Sequence, residues 1–294
     1  MFVLSEIQTL PAIFMEQLIT HKSPNDFLKY NHDFIYNNYF IHYHIIMAFE
    51  KARTKELDIL DGYNIVDDEG SNVMCLWVSG AYYLYSLKWT PKIVEMLASK
   101  IEVSKATSRF SFMGQKDLIL QLFGKYSLPY TIFKDRLVYT CKQVSLTDKV
   151  RVGKVENARF NDFDELVKMG MDNNFEEYNG KGTKTIEQMQ NGIAHGITND
   201  RLFVIKEDGD LCSMLQVIND PDENPMLGNL FTKKEKRNKG FAYSLLYVVT
   251  DGLLKAGHEE CGLVSDATNI ASNKAFVNVG YNPIYKWASI HRPE

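Results

Sequence analysis

Apolar and polar positions alternate in a way that divides the chain into short strands and amphipathic helices. Residues 5–53 read as helical, with the aromatic-rich stretch Phe34 to Ala52 ending in Glu50-Lys51-Ala52-Arg53, a charged final turn. Tyr63 to Val66 and Val73 to Val78, joined by Asp67-Asp68-Glu69-Gly70, predict a hairpin, and Ala81 to Leu87 continues it as a strand. Thr90-Pro91 opens a helix to about Lys100, because proline suits a first turn whose amide needs no helical partner. Arg109 to Met113 reads as a strand ended by Gly114. Gln115 to Tyr126 reads as a helix, and Arg136 to Cys141 as a strand that closes the first half.

The pattern turns polar around Ser145 to Lys149, where a domain junction is expected. Beyond it, Val150 to Val155 predicts a strand. A helix with acids in its first turn (Asn161-Asp162-Phe163-Asp164-Glu165) then runs to about Asp172. Asn174 to Thr183 reads as a loop, Thr185 to Ile197 as a helix, and Leu202 to Lys206 and Leu211 to Ile218 as a hairpin across Asp208-Gly209. Met226 to Thr232 is a strand. A basic turn and the amphipathic segment Tyr243 to Ala256 follow, with Gly257 as its cap. Cys261 to Val264 is a strand, Asn269 to Val279 a helix stopped by Gly280, and Tyr281 to Ile290 one or two strands. The second half is therefore β-α-α-β-β-β-α-β-α-β. The first half has a blurrier succession of the same kind, which fits a diverged duplication.

A chain of 294 residues suits two domains, and 45% hydrophobic with 24% charged residues is enough to build a core. The formal charge of -4 argues against a dedicated nucleic-acid binder. The four cysteines lack ligand spacing and sit among apolar neighbours, so buried free thiols are expected and no metal. His42 and His44, two apart on a helix, do not share a face. No apolar run reaches the roughly 18 residues of a spanning helix, and the N-terminus lacks a signal-peptide pattern. The expectation is a cytoplasmic protein with no membrane partner. Nothing in the sequence decides between a monomer and a homodimer.

The most informative stretch is Gly228 to Ala242. Strand-like residues lead into Lys233-Lys234-Glu235-Lys236 and then Arg237-Asn238-Lys239-Gly240-Phe241-Ala242. Backbone amides from Asn238 to Ala242, at a helix start, would form a positive concavity, and Gly240 permits close approach. The alternative is a solvated charged turn. Its place between a strand and an amphipathic helix favours a phosphate ligand. No Gly-Lys-Ser/Thr or Gly-x-Gly-x-x-Gly occurs to indicate another nucleotide site.

Arg237-x-x-Gly240-x-Ala242, together with Asn269-x-x-Ser272-x-x-x-Phe276-x-x-x-Gly280-Tyr281, resembles the GNAT superfamily of acyl-CoA N-acyltransferases. The first element is similar to its pyrophosphate motif, the second to its following helix. The resemblance covers roughly Val150 to Ile290. It implies an α+β or α/β fold: a mixed, mostly antiparallel central sheet flanked by helices. The N-acetyltransferase domain would span 148–294. Residues 1–147 look like the degenerate, related α/β domain of two-domain members such as the glycine N-acyltransferase-like branch. There Phe112-Met113-Gly114-Gln115-Lys116 lacks the Arg-x-x-Gly-x-Ala run, so no cofactor is expected in that half.

The resemblance further implies acetyl-CoA or another acyl-CoA as co-substrate, without a metal, and the primary amine of a small molecule or peptide as acceptor. Leu230, Phe231 and Thr232 would line the acyl and pantetheine arm. Arg237, Asn238, Lys239, Gly240, Phe241, Ala242 and Tyr243 would hold the pyrophosphate, with the turn lysines near the outer phosphates. Asn269 would contact pantetheine, and Phe276 would sit near the sulfur. Many family members have a tyrosine at that helix position as proton donor. Phe276 has no hydroxyl and also reads as a core aromatic. Ser272, Tyr285 or water would have to substitute, or the thiolate, with a pKa of about 8.5 if it behaves like free cysteine, would leave unaided. Glu176, Glu177, Glu223 and Asp266 are the acids near the acceptor side. Glu177, in the loop expected after the first helix, is the preferred base. Loss of catalysis with retention of acyl-CoA binding, or of the fold alone, is the alternative that Phe276 keeps open.

Overall fold

The computed structural model describes residues 16–293, apart from 102, 104–106, 146–152, 181 and 220–223. The expected boundary at 147/148, the start of the strand expected from Val150, the helix expected over 5–15, and Glu223 lie outside the described residues. The chain divides into two compact units, each assembled from separated stretches. One takes in residues up to Tyr36, His44–Lys134 and residues from Trp287 onward. The other takes in Asn37–Tyr43 and Asp135–Lys286.

In the first unit, β1 (Gln17–Thr20) precedes α1 (Pro24–Tyr36) and α2 (Tyr39–Arg53). The single helix expected here is thus a strand and two helices. Ser23 Oγ accepts the Asp26 amide at 3.2 Å to start α1, and Asn37-Asn38, whose side chains compete for backbone groups, separates the helices. His42 is fully buried, and His44 stacks on Trp287 with ring centroids 4.6 Å apart. The hairpin of β2 (Ile59–Val66) and β3 (Asn72–Val78) is held by Asp67, which accepts the amides of Glu69 and Ser71. Strand β4 (Ala81–Tyr85) is antiparallel to β3. Thr90 caps α3 (Pro91–Lys100) as its sequence predicts.

Strand β5 (Ser111–Gln115) runs parallel to β4 over Ala81–Leu84, and Gln115 caps α4 (Lys116–Lys125). Gly114 does not end this strand but lies inside it. Its φ is +129°, and a Cβ would fall 2.0 Å from the Leu84 carbonyl oxygen, so only glycine fits the kink. The other edge of β5 pairs antiparallel with Trp287–Ile290 of β12 (Asn282–His291). Ile93, Leu97, Leu118, Leu122, Phe123 and Ile290 form the core of this unit.

In the second unit, the strand expected to close the first half, Arg136–Cys141 of β6 (Thr131–Cys141), is hydrogen-bonded to β11 (Cys261–Asp266). Strand β7 (Lys154–Asn157) leads to α5 (Phe163–Glu177) and α6 (Ile186–Thr198), the latter started by a Thr185/Gln188 capping box. Strands β8 (Leu202–Glu207), β9 (Asp210–Val217) and β10 (Met226–Thr232) form an antiparallel meander that begins at β7. Helix α7 (Phe241–Lys255) returns the chain to β11, which is parallel to β10, and α8 (Ile270–Val279) ends at Gly280 in a left-handed conformation. Phe241, Leu245, Leu246 and Val249 of α7 pack on Leu227, Cys261 and Leu263. Full burial of each such aliphatic or aromatic side chain contributes about 1.5–3 kcal/mol.

The succession β-α-α-β-β-β-α-β-α-β occurs twice among the described residues, once to β6 and once to β12. No helix among them is long and apolar enough to cross a membrane, and no group of three or more potential metal ligands occurs.

Two outcomes follow from this packing. Gly114→Ala should lower unfolding free energy by about 2 kcal/mol or more, read by chemical denaturation, because the methyl group meets a backbone carbonyl in a strained conformation. All four cysteines are buried. Burial raises each thiol pKa, with Cys75 and Cys261 pushed up to about 12. They should resist an aromatic disulfide reagent at pH 8 in the native protein and react fully after denaturation.

Candidate active site

The site begins where two parallel strands part. Strand β10 pairs with β11 only at Met226 and Leu227. Between Gly228 and Phe231 its register with β9 shifts in a bulge, with Asn229 at φ +54°. A bulge bends a strand and increases its local twist, which carries the rest of β10 away from β11. The bulge is pinned from β9 by buried polar side chains. Asn229 Nδ2 donates to Gln216 Oε1 at 2.8 Å, and Ser213 Oγ donates to the Phe231 carbonyl at 2.8 Å. Among the described residues the edge of β10 beyond Leu227 has no strand partner on the β11 side. The Thr232 carbonyl accepts from Arg237 Nε, and the remaining outward backbone groups face the cavity without a strand partner.

After β10 the chain makes a 3-10 turn over Lys234–Lys236, and Asn238 and Gly240 take left-handed conformations, φ +62° and +86°. Helix α7 then starts at Phe241 with no side-chain cap. Its first amides have no helical acceptors and, with Gly240 as the cap residue, none from a cap side chain. They border a cavity of about 350 Å³ that opens from the parted strands. That volume lies within the usual range of small-molecule sites.

Most of the residues expected to hold a cofactor line this cavity: Leu230, Thr232, Arg237, Asn238, Gly240, Phe241, Ala242, Tyr243, Asn269, Ser272 and Phe276. Phe231 does not. Alternation along the strand turns its ring into a second cavity of about 230 Å³ beside α5, where Glu165, Asp172, Phe175 and Glu176 also lie. Lys239 points elsewhere, 3.8 Å from Glu207. Tyr243 directs its hydroxyl to the Ser145 carbonyl at 3.3 Å. Asn269 uses Oδ1 to cap α8 through the Ser272 amide at 3.0 Å. Phe276 is buried, its ring 5.8 Å from that of Tyr139. Of the expected proton donors, Ser272 faces the cavity, whereas Tyr285 is buried on β12 outside its lining.

The acids are arranged differently from expectation. Helix α5 continues to Glu177, so this residue is helical and not in a loop. Its carboxylate is bound to Arg136, and it borders neither cavity. Its neighbour Glu176 borders both. Asp266 accepts the Thr268 amide and hydroxyl at 2.9 and 2.6 Å and serves as a turn cap. Ala271 and Ala275 also line the larger cavity and were not singled out from the sequence. The signal was available: small residues at i and i+4, each followed by Ser272 or Phe276, mark one face of α8.

Every cation of the turn faces a carboxylate. Lys233 pairs with Glu165, Lys234 and Arg237 with Glu176, and Lys236 and Lys239 with Glu207. The hydrogen bond from Lys236 holds the Glu207 carboxyl below its ordinary range and raises Lys236 in turn. Anion attraction at this turn therefore rests chiefly on backbone amides and on exchange of these pairs.

Solved structures share this architecture. An acetyltransferase of the GNAT family from Colwellia psychrerythraea matches 94% of this chain and 100% of its own, with a TM-score of 0.58 and 14% identity. The chain has the GNAT fold. A GCN5-related N-acetyltransferase from Sphaerobacter thermophilus shares the GNAT fold over 97% of this chain and 98% of its own (TM-score 0.58, 13% identity). A Drosophila protein matches over 94% and 98% (TM-score 0.54, 12% identity). No protein-family model and no curated protein matches the sequence.

Asn229 gives a direct check on the bulge. Asn229→Ala should destabilise the protein by about 1–2 kcal/mol, since it strains a left-handed residue and orphans Gln216. Asn229→Gly should cost less, because glycine accepts the conformation. Equal losses in urea denaturation would contradict this account.

Proposed function

We propose that this protein is an acyl-CoA-dependent N-acyltransferase that takes acetyl-CoA or another acyl-CoA and acylates the primary amine of a small molecule or peptide. The observation that carries the reading is the parting of β10 and β11 into a cavity bordered by the uncapped N-terminus of α7. A diphosphate fits the amides from Asn238 to Tyr243, where negative charge meets the positive end of the helix. An extended amide-containing arm fits the edge of β10 at Leu230 and at the Thr232 amide, whose carbonyl is held by Arg237. The small face of α8, at Ala271, Ser272 and Ala275, leaves room for that arm.

Bound there, the thioester supplies the activated acyl group. Acyl transfer then needs a hydrogen-bond donor for the developing oxyanion, and a backbone amide in Leu230–Thr232 meets that need. Ser272 lines the cavity, and its hydroxyl could relay to the thiolate the proton that the acylated amine gives up. Glu177, bonded to Arg136, borders neither cavity, and Glu176, which borders both, is bonded to Arg237 at the diphosphate end of the proposed site. We also assign the first unit, spanning most of residues 1–147, to a related domain that binds no cofactor. It lacks the Arg-x-x-Gly-x-Ala turn, and β4 and β5 stay paired over Ala81–Leu84.

Phe276 favours a second reading, an acyl-CoA-binding module without turnover. It has no hydroxyl and packs as a core residue against Tyr139 and Tyr281. One set of measurements separates the two. Acetyl-CoA at about a hundredfold excess over Kd should stabilise the fold by about 2.7 kcal/mol, with one molecule bound per chain, and Gly240→Glu should abolish the shift. Thiol release with a panel of amines, amino acids and peptides supports the enzyme. Binding without release across the panel supports the module, and no thermal shift at millimolar acetyl-CoA refutes both.

A further inference from the structure

Arg237 is oriented before any ligand arrives. Its Nε donates to the Thr232 carbonyl at 3.0 Å, and its guanidinium carbon lies 5.4 Å from the centre of the Phe231 ring. These contacts fix the plane of the guanidinium and aim its remaining donors at the cavity wall. There Nη2 donates to both carboxylate oxygens of Glu176, at 2.8 and 3.0 Å, and Lys234 Nζ lies 3.6 Å from the same carboxylate. A carboxylate held in this way presents two anionic oxygens to one guanidinium, as an edge of a diphosphate would. Glu176 and Arg237 both border the larger cavity, so the pair lies within the proposed ligand site.

We propose that Glu176 occupies the place of the ligand's diphosphate on Arg237 in the free protein and lowers affinity for CoA by competing for that guanidinium. The proposal rests on the reading of the cavity as an acyl-CoA site and adds a residue that tunes its affinity. Glu176 ends in the last turn of α5, so its carboxylate can leave Arg237 without disturbing a strand. Its release would leave it at the second cavity, which it also borders beside Asp172. Both partners are about one-third exposed, 38% for Arg237 and 33% for Glu176. The pair is therefore weak enough for a multiply charged ligand to displace, and strong enough to register in a titration.

The test uses the full chain, coenzyme A and pantetheine, the latter carrying the thiol arm without the diphosphate. Glu176→Gln should bind coenzyme A about two- to five-fold more tightly than the wild type, the range an exposed ion pair carries. Its affinity for pantetheine should not change. In an Arg237→Gln background the gain from Glu176→Gln should disappear, which a purely structural role for Glu176 would not produce. Glu176→Ala should move affinity in the same direction and guards against a peculiarity of the amide. Unchanged or weaker coenzyme A binding by Glu176→Gln, with a normal wild type, overturns this proposal and leaves the acyltransferase reading standing. A gain that persists without Arg237 also overturns it. Failure of the wild type to bind coenzyme A overturns both.

Discussion

The parting of β10 from β11 after Leu227 is the constraint on which the rest of the candidate site depends. A parallel pair in a sheet interior normally satisfies every backbone group with its neighbour. Here one edge of β10 is given up for five residues, and the loss is supported from the other side. Gln216 and Ser213, polar and buried, hold the bulge at Asn229 and Phe231. The first unit shows the same elements without this device. Its parallel pair, β4 and β5, stays closed over four residues, and Gly114 brings the two backbones into contact at Leu84. A bulge thus accompanies the crevice between parallel strands in the second unit, whereas the corresponding pair in the first unit stays closed.

The turn after β10 is less electropositive than its composition implies. Five cations within seven residues meet Glu165, Glu176 and Glu207. Solvent screens pairs at this depth, so they act less as structural supports than as exchangeable counter-ions. In the proposed site, directional recognition of an anion would fall to the amides of Asn238 through Ala242, whose positions the left-handed Asn238 and Gly240 fix. The net charge of -4 is compatible with an anionic ligand for this reason. The attraction is local and carried largely by the backbone.

Much of this was legible in the sequence because it is local. Met226 to Thr232 reads as a strand from its composition, Gly280 stops α8, and Arg237-x-x-Gly240-x-Ala242 marks a turn that few other arrangements need. What escaped was long-range or angular. Pairing of Arg136–Cys141 with β11, and of Trp287–Ile290 with β5, joins segments far apart in sequence, and periodicity does not encode a partner. Gly114 looked like a strand terminator because glycine usually is one, whereas here it serves close approach. The choice between Glu176 and Glu177 turned on the end of α5. The helix absorbs Gly170, and no further glycine or proline occurs before Gly180, so it runs on to Glu177. Adjacent helical residues then point about 100° apart, one into both cavities and the other onto Arg136.

The position of β12 has a consequence for how the protein comes into being. The exposed edge of β5 is covered only by Trp287–Ile290, so Gln115 and its partner lie roughly 170 residues apart. Everything else in that unit up to Lys134 is made long before. During synthesis its sheet must wait with one edge unpaired, an arrangement that invites association with other strands. That edge stays open to association until Trp287–Ile290 is made, and a premature stop before Trp287 would damage a unit encoded mostly at the start of this sequence.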